Sequence, residues 1–153
     1  MNEALLATLD EEHTALEAFT SLLALEAGAL ATVSPLETLP AIIEQKRQLI
    51  AQLTRLEQQR DAALATLGLP GGKAGMERAI ERERQRVGHA EPRLAGRWRM
   101  LHQTLERVRQ ANANNGLMIQ VRMDYNTRAL AALRAVPRNT GFYGPDGRVS
   151  ALA

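Results

Sequence analysis

Cysteine is absent from all 153 residues of the chain. Disulfide bridges, thiol nucleophiles and cysteine-ligated zinc are therefore excluded, and a reduced cytoplasm is the expected compartment. Aromatic residues are nearly absent too, at 3% against 45% hydrophobic overall. The apolar content is thus Leu, Ala, Val, Ile and Met, a mixture that favours helix over strand. No apolar run approaches the roughly 18 to 20 residues of a membrane span, so no stable membrane insertion is expected. Residues 1–13 carry acids where a secretory leader carries basic residues, which points to a soluble chain not exported by a cleaved signal. The three histidines, His13, His89 and His102, lie far apart. They lack the paired acids or ligand spacing of an acid–base or metal site. No enzyme activity, metal or cofactor is expected.

What the chain does have is leucine at helical intervals. Leu5, Leu9, Glu12, Leu16, Phe19, Leu23, Glu26 and Leu30 alternate spacings of four and three, the pattern of a helix with a core-facing seam. It predicts a helix over about 3–32, its stripe widened by Leu6, Leu22 and Leu25. Ser34-Pro35-Leu36-Glu37 reads as a capping box opening a second helix over about 35–67. Pro40 cannot donate to the Leu36 carbonyl, so it kinks that start or delays the regular turns to about Thr38. The second seam is Leu39, Ile42, Lys46, Leu49, Leu53, Leu56, Arg60, Ala63 and Leu67. A short link makes these helices antiparallel neighbours.

Gly68 to Gly75 holds four glycines and a proline in eight residues and reads as a loop. It lacks the Walker spacing and a preceding strand, so a phosphate loop is not indicated. A short charged helix over 76–87 has only Met76, Ala79, Ile80 and Val87 as apolar anchors and would be marginal and mobile. A long helix over about 90–135 follows, with the seam Leu94, Trp98, Leu101, Leu105, Val108, Asn112, Asn115, Ile119, Arg122, Asn126, Ala129 and Leu133. The expected fold is all-α. It comprises an elongated antiparallel three-helix bundle or coiled coil over 1–136, an additional short helix at one end, and a flexible C-terminal tail over 137–153.

The overall charge of +2 conceals a strong asymmetry. Residues 1–72 carry ten acidic and four basic side chains, whereas residues 73–109 carry five acidic and ten basic. Such halves attract when their helices lie antiparallel, at modest energy per exposed pair. Within 78–109 the acids Glu81, Glu83, Glu91 and Glu106 interleave with the arginines and no aromatic platform accompanies them. The segment reads as a solvated face, and no nucleic-acid partner is expected.

Asparagines at seam positions have two readings. Asn112, Asn115 and Asn126 either form a polar seam that fixes register at a cost in stability, or loosen the helix so that it accepts a partner. Beyond Asn115 the helix carries a second apolar row, Met118, Val121, Tyr125 and Ala132, with Leu117, Met123 and Leu130 nearby. This row either packs on both other helices or offers a surface to an amphipathic helix, with Met supplying adaptability. After Pro137 the glycines at 141, 144 and 147 and Pro145 leave no apolar period, so order there requires binding. Phe142 and Tyr143 in that tail are anchors for a partner or fold back on the bundle.

Certain motifs carry a family resemblance. They are Glu44-Gln45-Lys46-Arg47-Gln48-Leu49-Ile50, then Asn112 and Asn115-Gly116-Leu117-Met118-Ile119, Tyr125-Asn126, and Tyr143-Gly144-Pro145-Asp146-Gly147. The combination resembles the FlgN family of flagellar export chaperones across essentially the whole chain. The resemblance implies a cytoplasmic protein that binds the C-terminal helices of the hook-filament junction proteins FlgK and FlgL. It would prevent their premature assembly and bring them to the flagellar type III export apparatus, whose components are further partners. The client-binding region it implies falls on about residues 117–147. Leu117, Met118, Val121, Tyr125, Leu130, Phe142, Tyr143 and Gly144 are therefore the candidate client contacts. The arginine density of 78–109 departs from the family pattern and receives no role. The rival readings are a coiled-coil nucleic-acid-binding protein and an assembly scaffold.

Overall fold

Leucine spacing becomes burial along the first helix. The computed structural model describes residues 2–32 and 37–135, in which four helices form: α1 Glu3–Leu30, α2 Leu39–Thr66, α3 Gly72–Val87 and α4 Arg93–Ala135. No strand occurs among the described residues, and the all-α class holds. Every residue of the first seam is buried, Glu12 and Glu26 included. Leu6 and Leu22 join them, but Leu25 is 64% exposed and does not widen the stripe. The proposed capping residues Ser34, Pro35 and Leu36 lie outside the described residues. Pro40 stands at the first turn of α2, where its missing N–H leaves no bond unmade.

The chain divides into two compact units, Met1–Gly116 and Leu117–Ala153. The boundary expected at 136/137 sits at the edge of the described residues. In the first unit, Arg60 meets Glu12 and Lys46 meets Glu26, so α2 runs antiparallel to α1. Residues 93–116 of α4 run parallel to α1. Arg93 pairs with Glu3 at 3.0 Å, Arg97 with Asp10 at 2.8 Å and Arg107 with Glu17 at 3.3 Å. The acidic and basic segments do attract, but across a parallel pair, because α2 occupies the antiparallel place between them in the chain. These pairs are exposed and each contributes about 0–1 kcal/mol.

Apolar burial does most of the work. Leu5, Leu9, Leu16, Phe19, Leu23, Leu64, Leu69, Met76, Leu94, Leu101 and Val108 form one cluster. Truncating a buried leucine there to alanine costs about 2–5 kcal/mol.

α3 departs from expectation in both its start and its anchoring. It begins at Gly72, so the loop stops short of Gly75, which is buried inside the helix. A Cβ on Gly75 would stand 1.7 Å from the Pro70 carbonyl oxygen. Glycine here permits the close approach of the preceding loop instead of breaking the helix. Gly72, at φ +69°, donates its N–H to Asp61 Oδ1 at 2.8 Å. A carboxylate on α2 thereby satisfies an amide of the first turn of α3. Met76 and Ala79 are fully enclosed, although Val87 is exposed. The buried Glu83 carboxylate accepts the Leu94 N–H at 2.9 Å, capping α4 in turn. Arg82 donates to the Leu67 carbonyl at 2.8 Å. A helix that is marginal by sequence is thus tied to both neighbours by its caps.

Candidate functional site

The seam of α4 is buried in part and exposed in part. Leu94, Leu101, Val108 and Asn115 are buried, with Trp98 and Leu105 half-buried. From Ile119 onward the seam is not a core: Ile119, Asn126, Ala129 and Leu133 are exposed. Helix length supplies the physical reason. α1 and α2 have 28 residues each against 43 in α4, or about 42 Å against about 65 Å at 1.5 Å per residue.

The asparagines divide accordingly. Asn115 is buried, and its Nδ2 donates to the Leu23 carbonyl at 2.9 Å. Asn112 is exposed but accepts from Lys46 Nζ at 3.0 Å, adding a partner to the Glu26–Lys46 layer. Lys46 Nζ lies 2.9 Å from Glu26 Oε2. That oxygen lacks a well-aligned hydrogen bond, so the contact is ionic. Asn126 is exposed and forms no buried layer.

In the second unit, residues 117–135 are helical and almost wholly exposed. Leu117, Val121 and Tyr125 recur every four residues and form one row, with Val121 68% and Tyr125 72% exposed. Met118 flanks it. Ile119, Met123, Leu130 and Leu133 form a second exposed row. At about 3.6 residues per turn the two rows face nearly opposite sides of the helix, and Gln120, Thr127 and Arg134 separate them along one flank, where Thr127 satisfies its hydroxyl on the Met123 carbonyl at 2.9 Å. Rows of large apolar side chains left exposed along a helix are what an interaction surface requires. Of the candidate client contacts, Leu117, Met118, Val121, Tyr125 and Leu130 are thus exposed on one helix. Phe142, Tyr143 and Gly144 lie outside the described residues.

Sequence reading missed a second feature, in the first unit. A cleft of about 300 Å³ opens where α1, α2, α4 and the start of α3 converge around Trp98, the sole tryptophan. At its base, Arg60 donates to Glu12 Oε2 at 2.5 Å and lies 3.7 Å from Glu57. The guanidinium carbon is 5.3 Å from the centre of the Trp98 ring, a cation–π contact. His102 meets that ring edge-on, with centroids 4.3 Å apart. Burial pushes the Glu12 carboxyl above its ordinary value, and Arg60 only partly opposes this. His102 is pushed below its ordinary value, first by desolvation and then by the charges of Lys73, Arg109 and Arg60. The available signal was the pair of charged residues, Glu12 and Arg60, at apolar seam positions.

Among the described residues no three His, Asp or Glu side chains stand where they could hold a metal ion. His13 contacts Thr104 Oγ1 at 3.2 Å, and His89 is exposed. No described helix is long and apolar enough to cross a membrane.

Comparison with known proteins gives a consistent result. The sequence matches the family described as FlgN protein over residues 1–151. It is similar to the flagella synthesis protein FlgN of Yersinia enterocolitica, at 32% identity over 120 residues, covering 73% of this chain and 80% of the relative. It is also similar to the flagella synthesis protein FlgN of Salmonella typhimurium, at 28% identity over 100 residues, covering 65% of this chain and 66% of the relative. No solved structure matches the chain.

Proposed function

The chain belongs to the FlgN family, a family of flagella synthesis proteins, and from that premise we propose that it is a cytoplasmic export chaperone. Its clients are hook-filament junction proteins of the FlgK and FlgL type, held by their C-terminal helices. Holding them prevents premature assembly and delivers them to components of the flagellar type III export apparatus. The observation that carries this reading is the double row of exposed large apolar side chains on residues 117–133. Left in water, each such side chain forgoes roughly 1.5–3 kcal/mol of burial. An amphipathic client helix would recover that energy by packing its own apolar face along Leu117, Val121 and Tyr125. Met118 and Met123 suit a surface that accepts more than one client sequence. Phe142, Tyr143 and Gly144 extend the contact in this reading.

The test replaces Val121 and Tyr125 with aspartate and measures two things. Thermal unfolding should be unchanged, because both side chains are exposed. Capture of a purified junction protein should weaken by about 100-fold, as two anchors of roughly 1.5 kcal/mol each are lost. Wild-type binding should persist at high salt, since the contact is apolar. Undiminished capture by the double variant would remove residues 117–133 from the client site. A separate truncation after Val136 asks the same of Phe142 and Tyr143.

A further inference from the structure

Residues 117–133 carry more apolar surface than one docked helix covers. Leu117, Val121 and Tyr125 form one row and Ile119, Met123 and Leu130 the other, all of them exposed. At about 100° per residue the two rows together span about 240° of the helix circumference. Gln120, Asp124, Thr127 and Arg134 occupy the remaining arc, which holds no large apolar side chain. On the flank away from that polar arc, Met118 and Ala129 bridge the rows, with Arg122 the one charge between them. A helix packed against another buries a stripe about 100° wide. A single client helix along Leu117, Val121 and Tyr125 therefore leaves Ile119, Met123 and Leu130 in water.

We infer, on the client reading of this helix, that one client chain supplies two helices and clasps residues 117–133 between them, one along each row. Seam length selects a single partner chain over two separate ones. The second row runs from Ile119 to Leu133, about 21 Å of helix or about two heptads. A free-standing pair of helices needs about three to four heptads. A second copy of this chain, or an unlinked helix, would hold by that short seam alone, with Asn126 in its middle as a further cost. Two helices joined in one client bind as a single event, so each is kept on its row at the high effective concentration that the other sets. All of these residues lie in the unit Leu117–Ala153.

Because the chain has no cysteine, single cysteines report each face of the helix. V121C marks the first row, L130C the second and T127C the polar arc, all at exposed positions. Maleimide labelling of each full-length variant is followed by mass, with and without a purified junction protein of the FlgK type. In a complex of one copy of each protein, V121C and L130C should both label about ten-fold more slowly, and T127C at its free rate. A peptide of the client's C-terminal helix alone should protect one row only. Capture by I119D/L130D should weaken about as much as capture by V121D/Y125D, about 100-fold. Protection of V121C with L130C left open keeps the client reading and overturns the clasp, whereas both left open removes the client reading itself. Protection of L130C before client is added, two copies of this chain in the complex, slowed T127C, or protection of both rows by the single helix would each overturn the clasp as well.

Discussion

Replacing Arg60 with methionine should cost far more than replacing its partner Glu12 with glutamine, although the two share one ion pair. Methionine keeps the stem of the arginine but removes the guanidinium that donates to Glu12 Oε2 at 2.5 Å. Glu12 Oε1 has no hydrogen-bond partner even in the intact protein, so the variant leaves a buried carboxylate with neither oxygen paired. Orphaning a buried charge costs about 3–5 kcal/mol, and losing the cation over Trp98 adds about 0.5–1 kcal/mol. The sum of roughly 4 kcal/mol corresponds to a fall of about 15 °C in the melting temperature.

Glutamine at position 12 behaves differently. It retains an acceptor for Arg60 and deletes the charge that burial disfavours, so E12Q should cost about 1 kcal/mol or less. The pH dependence follows from the raised carboxyl of Glu12. A group whose folded pKa exceeds its unfolded value favours the folded state below the unfolded pKa, and loses that contribution as pH rises through the folded one. The deficit of R60M relative to wild type should therefore be full at about pH 7 and shrink toward about pH 4, as Glu12 takes up its proton. The double variant E12M/R60M, with no charge left to orphan, should lie within about 1 kcal/mol of wild type or above it. Urea unfolding followed by circular dichroism and Trp98 emission measures all three. Equal costs for R60M and E12Q, or an R60M deficit indifferent to acid, would refute the reasoning.

Two further outcomes are expected. Gly75→Ala should destabilise severely, because its Cβ meets the Pro70 carbonyl, while Gly28→Ala, with nothing within 4 Å, should stabilise by about 0.5–1 kcal/mol; melting temperatures decide both. Trp98 emission should be quenched on acidification, as His102 becomes charged against the ring, with a midpoint below 6.5 that H102Q abolishes. Because the His102 pKa is depressed, its contribution to stability is present above 6.5 and is lost as pH falls through the lower folded value.

Apolar periodicity made the helices legible, yet it could not say where the α4 seam stops being a core. Ile119 and Leu133 keep the interval that Leu101 and Val108 keep, and only the shorter lengths of α1 and α2 separate exposed from buried. The α3 start was illegible for a different reason. Glycine composition reports conformational freedom, whereas Gly75 is needed for close approach to Pro70, a tertiary fact. The Trp98 cleft likewise depends on four segments meeting, of which the sequence shows only the charged seam positions.

Those seam charges nevertheless encode more than their cost in stability. The paired numbers 12 and 60, and 26 and 46, both sum to 72, so one antiparallel register satisfies both layers at once. A slip of one heptad in one direction would set Glu12 against Leu53, Glu26 against Leu39, Lys46 against Phe19 and Arg60 against Leu5. The opposite slip would set Glu12 against Leu67, Glu26 against Leu53 and Arg60 against Phe19, and would carry Lys46 past the end of α1. Leucine seams alone would tolerate all three registers, since every layer stays apolar. With the charges in place, each wrong register sets at least three unpaired ions against apolar seam residues, at several kcal/mol for each one buried. The α1–α2 hairpin is therefore held in one register by residues that contribute little to its stability, and the Trp98 cleft, whose base is the Glu12–Arg60 layer, exists only in that register.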